Sequence, residues 1–180
     1  YAQARVHRLS NFFSEFRTAL LNMRSDPDNH VAILTPGPFS ETYFEQSYIA
    51  RYLGLLLVEG EDLTVKQGQV FVRTVSGLQP VDVLWRRLDT LYADPLELDE
   101  TSQIGTAGLV GAIRRGSVSV VNALGAGVLE SRALLAFLPR ISRALAGGPL
   151  AMPNIATWWC GQPAERSHVL SRLEAMMLAP

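Results

Sequence analysis

The segment that most limits the fold is residues 31–58. Val31-Ala32-Ile33-Leu34 is an unbroken apolar run, closed at once by Thr35-Pro36-Gly37-Pro38. An apolar run of that length between breakers predicts a strand buried on both faces. Ser40 then opens a helix, with Thr42 and Glu45 at capping-box spacing, and Gly54 ends it. Phe44, Tyr48 and Tyr52 recur every fourth residue of that helix as an apolar stripe, with Ile49 and Leu53 beside them. Residues 55–58 form the next apolar run. Strand, loop, helix, glycine and strand within about thirty residues is the βαβ unit, with a right-handed crossover.

The remaining segments extend that pattern. Residues 8–24 read as an amphipathic helix with Leu9, Phe13, Phe16, Leu20 and Met23 on one face and Ser10 as its cap. Residues 64–72 place Gly68 between two β-rich arms, which predicts a small hairpin. Residues 81–85 are a third strand candidate, ending at Arg86-Arg87-Leu88-Asp89. A helix over 106–115, a β-rich run over 118–121 and a glycine-containing loop over 122–127 follow. A helix over 129–146, bent or split by Pro139, precedes a further strand over 154–159 and a helix from Pro163 to about Glu174. The alternation predicts an α/β, Rossmann-like three-layer domain. Its sheet should be largely parallel, flanked by helices, with a small β-hairpin. The expected organisation is an N-terminal helix and loop over 1–29, a binding domain over 30–160 and a C-terminal segment over 161–180.

Composition removes several functions. Sixteen basic residues against seventeen acidic leave a net charge of -1, which gives no reason to expect nucleic acid or an anionic membrane as partner. No apolar run approaches the roughly 20 residues of a spanning helix, and no signal segment opens the chain. One cysteine, Cys160, excludes an intrachain disulfide and fits a reducing, cytoplasmic setting; it reads as a buried small hydrophobe. His7, His30 and His168 are scattered and read as exposed, with no metal-ligand spacing. All but one of the sixteen basic residues are arginine. The exception, Lys66, lies beside the predicted hairpin turn, a poor place for a phosphate-binding lysine.

Ligands of open α/β sheets bind at the carboxyl ends of strands, which selects residues 35–41, 59–62, 86–89 and 122–130. Gly37, Ser40 and Glu41 lie where a strand turns into a helix, offering free backbone N–H groups for a carboxylate or phosphate; the alternative is a rigid capped turn. Arg86 and Arg87 end a strand and face opposite ways, so one can meet a ligand carboxylate. Asp89, Asp94 and Glu97 are near enough to hold the pair, and a structural ion-pair network is the competing reading. Asn122, Gly125 and Gly127 resemble a dinucleotide loop, but Glu130 stands where a third glycine belongs. Close backbone approach to a substrate, or helix–strand packing, suits them better.

Taken in order, five segments carry a family resemblance. They are residues 35–45 (Thr-Pro-Gly-Pro-Phe-Ser-Glu-Thr-Tyr-Phe-Glu), residues 57–63 (Leu-Val-Glu-Gly-Glu-Asp-Leu), Arg86-Arg87-Leu88-Asp89 with Asp94-Pro95-Leu96-Glu97-Leu98, Asn122-Ala123-Leu124-Gly125-Ala126-Gly127 with Glu130-Ser131, and Ala156-Thr157-Trp158-Trp159-Cys160-Gly161. Together they resemble the circularly permuted type 2 ATP-grasp family, across nearly the whole chain.

The resemblance implies an internal piece of a longer ligase, similar to the substrate-binding domain inserted into glutathione synthetases. It implies ATP and Mg²⁺ for the parent protein and no cofactor, metal or catalytic residue within this piece. Its partners would be the remaining ATP-grasp segments of its own polypeptide and a small peptide or amino-acid-like substrate. In such synthetases an arginine at this strand end contacts the peptide, and Arg86 or Arg87 is the matching position. Ser40, the Gly37 backbone, Asn122 and the 125–127 backbone would line the pocket. Ala179 stands where the family carries a basic residue before proline, next to Pro180. The implied function is the substrate-binding domain of an ATP-dependent carboxylate–amine ligase. The alternative is a non-catalytic peptide- or small-molecule-binding module.

Overall fold

The computed structural model describes residues 8–179; the expectations placed on His7 and Pro180 lie outside them. These residues divide into two compact units, the first ending at Leu124 and the second beginning at Gly125.

The first unit is built on one long strand. α1 (Ser10–Asn22) leads into β1 (His30–Leu34), α2 (Tyr43–Leu53) and β2 (Leu56–Val58). A hairpin follows, β3 (Leu63–Lys66) and β4 (Gln69–Thr74), then β5 (Gly77–Arg86), α3 (Leu109–Arg114) and β6 (Ser119–Val121). The strand order is β2-β1-β5-β4-β3, with β6 also paired to β5. β1 runs parallel to β2 and β5, and β6 runs parallel to β5. β4 is antiparallel to both β3 and β5.

The sheet is therefore mixed, and the expectation of a largely parallel one is corrected. The reason lies in β5, which does two jobs. Its first residues close a second hairpin with β4, pairing Phe71 with Pro80 and Thr74 with Gly77. Its later residues lie between β1 and β6, where Val83 faces Val31 on one side and Ser119 on the other. Pro80, a residue that lacks an N–H, hides the first part of this strand from a sequence reading. The first hairpin is as expected: Gln67 and Gly68 both take positive φ (52° and 82°), the geometry of a tight two-residue turn.

Alternation along the strands gives two cores. Ala32 and Leu34 of β1 join Leu84, Leu109 and Ala112 on the α3 face. Val31 joins Val83 and Leu20 of α1 on the opposite face. On β5 the alternation shifts at Asp82: Val81 and Leu84 share the α3 face while Val83 faces α1. The register with β1 skips there too, pairing His30 with Val81 and Val31 with Val83. Asp82 is thus the extra residue of a bulge.

Several local expectations fail. Thr42 starts α2 without a side-chain cap bond, so the capping box with Glu45 does not form. Ser10 does not cap α1; Leu9 occupies that place without a side-chain bond. The stripe of α2 points to solvent: Phe44, Tyr48 and Tyr52 are 87%, 69% and 51% exposed, while Gln46, Ala50 and Leu53 are buried. The residues over 154–159 form no strand.

The second unit holds α4 (Leu134–Ala146), which keeps Pro139 inside it, and α5 (Pro163–Leu170). In place of a strand, Trp159 packs on Phe137 (5.8 Å between ring centroids) and Trp158 on His168 (5.0 Å). Bulky residues that read as β-rich are here aromatic packing against helices. Cys160 is exposed rather than buried. His30 and His168 are half-buried rather than exposed. No helix among the described residues is long and apolar enough to cross a membrane.

Candidate functional site

The parallel strands of the first unit stand in the order β2-β1-β5-β6. The chain leaves β1 for β2 on one side and leaves β5 for β6 on the other. The strand order therefore reverses between β1 and β5, and the carboxyl ends at that switch point are the usual ligand position in such sheets. Thr35–Gly37 and Arg87 flank it. Hydrogen bonds lace the strand ends together, from Thr35 N–H to Val58 O (2.9 Å) and from Arg87 N–H to Leu34 O (2.8 Å). The fully buried Thr35 turns the chain, its hydroxyl oxygen accepting from Gly37 N–H at 3.2 Å.

The two arginines divide as strand geometry requires. Arg86 turns to the end of β6: its Nε donates to Asn122 O (3.2 Å) and an Nη to Ala123 O (3.3 Å). Another Nη donates to Leu88 O. Its guanidinium is thus spent on backbone carbonyls that hold the β5 and β6 ends together. Arg87 points to the α1–α2 side of the sheet. Its guanidinium carbon lies 5.8 Å from the Trp85 ring centroid, and an Nη stands 3.6 Å from Glu45 Oε1 of α2. That separation is an ion pair, too long for a hydrogen bond. The Arg87 side chain keeps 31% of its surface exposed.

The acidic neighbours expected to clamp the arginines do other work. Asp89 caps a short 3₁₀ turn, accepting from Leu91 N–H at 3.1 Å. Asp94 is fully buried and accepts from the N–H groups of Leu96 (2.9 Å), Gly108 (3.1 Å) and Val110 (2.9 Å), which fixes the start of α3. Glu97 pairs with Arg114. Glu45, which the sequence does not mark as a partner for either arginine, is the one that meets Arg87.

Glu59 lies in the selected segment 59–62 but is not among the site residues that the sequence singles out. It follows β2 directly, and its carboxylate lies against the α-carbon of Gly37. A methyl group on Gly37 would stand 2.8 Å from Glu59 Oε2, and Gly37 has φ +96°. The positive φ requires glycine there, and a methyl group would also displace the end of the Glu59 side chain. The signal was present in the sequence as an acidic residue at a strand's carboxyl end, facing a loop with a glycine. Ser40 and Glu41 sit beyond Gly37, with Ser40 N–H donating to Gly37 O at 3.0 Å and Glu41 exposed. Asn122 lies at the β6 end, after a cis Val121–Asn122 peptide, with its carbonyl held by Arg86. Gly125 and Gly127 fall in the second unit, where Gly125 precedes a 3₁₀ turn at Ala126–Glu130 with φ +81°.

Two clefts lie away from this switch point. One of about 160 Å³ is at the opposite end of the strands, beside Asn29, Asp82 and Ser119. Its carboxylate is already taken: Asp82 accepts from Ser25 N–H and Oγ (each 2.7 Å), Asp26 N–H (3.3 Å) and Asn29 Nδ2 (3.0 Å). Partial burial pushes the Asp82 carboxyl up, but these bonds outweigh it and hold the group below the ordinary aspartate value. The other cleft, of about 180 Å³, belongs to the second unit, between Phe137, Arg140, Trp158, Trp159 and Glu165.

Comparison with known proteins decides the family. The family model described as circularly permuted ATP-grasp type 2 matches residues 1–180. The chain belongs to this family. An uncharacterized protein of Mycobacterium tuberculosis is 42% identical over 169 residues, covering 93% of this chain and 19% of the relative. A second uncharacterized protein of that organism is 36% identical over 182 residues, covering 100% of this chain and 33% of the relative. One from Synechocystis is 39% identical over 149 residues, covering 82% of this chain and 31% of the relative. The chain thus spans a fifth to a third of the length of these curated relatives. The family resemblance drawn from the sequence holds.

Proposed function

We propose that the first unit is the substrate-binding part of an ATP-dependent carboxylate–amine ligase, and that Arg87 holds a substrate carboxylate. The observation that carries this reading is the division of labour between the two arginines. Arg86 is committed to backbone carbonyls. Arg87 stands at the switch point with only a loose ion pair to Glu45 and a ring face beneath it. A planar guanidinium so placed can take a carboxylate through two parallel N–H···O bonds, replacing the weaker Glu45 contact.

In this reaction class a carboxylate is activated by phosphoryl transfer from ATP, and an amine then displaces phosphate to form the C–N bond. The groups of this chain orient the peptide or amino-acid-like substrate. Arg87 fixes its carboxylate, and the Gly37 backbone with Ser40 and Glu41 forms the neighbouring wall. Asn122 lies at the far edge. ATP and Mg²⁺ are assigned to the rest of a longer polypeptide. Among the described residues no three His, Cys, Asp or Glu side chains group as a metal centre, and Lys66 ends β3 at a hairpin turn.

The test uses thermal shift with trialanine on the wild type, Arg86→Ala and Arg87→Ala. A ligand at 100 times its dissociation constant adds about 2.7 kcal/mol. Arg87→Ala should lose that shift while keeping its ligand-free midpoint. Arg86→Ala should lower the ligand-free midpoint by several degrees, because three carbonyls lose their donor. A full peptide shift in Arg87→Ala overturns the assignment. A full-length relative that binds the peptide but releases no phosphate from ATP would favour the non-catalytic binding module instead.

A further inference from the structure

We infer that the ligand of the switch point carries a free ammonium group and that Glu59 receives it. The inference rests on the placement of a carboxylate at Arg87 and adds the opposite end of the ligand. Glu59 is half-buried at the carboxyl end of β2, on the far side of β1 from Arg87. Glu59 and Asp62 form a capping box over the turn at Gly60–Asp62: Glu59 N–H donates to Asp62 Oδ2 at 2.8 Å and the Glu59 side chain faces the Asp62 N–H, which fixes the carboxylate and leaves its remaining lone pairs for a ligand. Its carboxylate is seated against Gly37, whose missing side chain leaves the space it uses. Any other residue at position 37 would push Glu59 away, so the glycine sets where the negative charge sits.

The chemistry of that charge selects the ligand group. Glu59 belongs to no group of three metal-ligating side chains among the described residues. A divalent cation takes about six oxygen ligands, whereas an ammonium is satisfied by one carboxylate and neighbouring carbonyls. The two charges are separated by β1. Val58 O, Thr35 N–H, Leu34 O and Arg87 N–H link the three strand ends in sequence, so Glu59 and Arg87 are anchored two strand spacings apart, about 10 Å. Extended chain advances about 3.5 Å per residue, so a short peptide covers that distance better than a single amino acid. The peptide would lie across the end of β1, amino terminus on Glu59 and carboxyl terminus on Arg87.

Three probes separate this inference from the reading it rests on: trialanine, N-acetyl-trialanine and trialanine amide, each titrated calorimetrically into this chain. Acetylation should weaken binding at least about tenfold by removing a charge-assisted bond. Glu59→Gln should bind trialanine and its acetyl form alike. Amidation should weaken binding in wild type and Glu59→Gln equally. Equal affinity of the wild type for the acetylated and free peptides overturns the Glu59 assignment and leaves Arg87 standing. Equal affinity for the amide and the free peptide overturns Arg87 instead. Should Glu59→Gln fail to fold, the wild-type comparison of the three probes still decides. No binding of any probe at about 10 mM, weaker than any useful recognition, overturns both.

Discussion

Asp82 shows how one side chain can do structural work that a sequence does not advertise. It is the bulged residue of β5, and its carboxylate gathers the loop between α1 and β1 through Ser25, Asp26 and Asn29. Those donors favour the charged form, so the folded carboxyl titrates below its ordinary value of 3.8. A group depressed in the folded state stabilises it fully above the unfolded pKa and loses that contribution as pH falls through the folded pKa. Asp82→Asn should therefore lower stability by about 1 kcal/mol at pH 7, a typical cost for a lost capping carboxylate. The deficit should shrink as pH drops below the ordinary value of 3.8. Urea unfolding of both proteins from pH 7 to pH 3 checks this; a deficit constant with pH would show that charge is not the cause. The same scale explains what was legible at the candidate site. Two adjacent arginines on a strand must face opposite ways, so the sequence identifies the pair. Only the carbonyls of Leu88, Asn122 and Ala123 decide which one is committed. The strand-end rule selects segment 59–62, but only the structure shows Gly37 against the Glu59 side chain.

At the scale of elements, period was easier to read than face. β1, α2, the first hairpin, α3 and β6 form near where their patterns place them, because breakers and glycines bound each one. The face of α2 was misassigned because Phe44, Tyr48 and Tyr52 are its most apolar-looking residues. Yet the helix buries the narrower side, Gln46, Ala50 and Leu53. Arg17 of α1 seals the end of the helix by donating to Leu53 O at 2.7 Å. The strand expected over 154–159 was lost for a related reason. Its tryptophans find ring partners on helices of their own unit. A direct contrast follows for α2. Tyr48→Ser should change stability by no more than about 0.5 kcal/mol. Leu53→Ala, at a site 3% exposed, should cost about 2–5 kcal/mol. Chemical denaturation of the two variants reads both values; a large loss in Tyr48→Ser would mean that the aromatic face is covered in the folded protein.

Across the whole molecule, the two units differ in what holds them. The first has buried side chains on both faces of a six-stranded sheet, from Leu20 and Val31 on one side to Leu84 and Leu109 on the other. The second has a single buried side chain among its described residues, Val169. Its apolar residues Val128, Leu129, Leu145 and Ile155 are exposed, and α4 has none that is buried. Short helices without a packed core are marginal in water, because most helical stability comes from burying an apolar face. A domain of the first unit's size can bury enough surface to fold alone. Residues 1–124 expressed alone should therefore melt cooperatively, with slow amide exchange in β1 and β5. Residues 125–180 alone should show partial helicity by circular dichroism and no cooperative transition. Calorimetry and hydrogen exchange on the two pieces test this together. A sharp, concentration-independent transition in the second piece would mean that its tryptophan and helix contacts form a core of their own. Loss of the transition in the first would mean that the sheet depends on residues beyond Leu124.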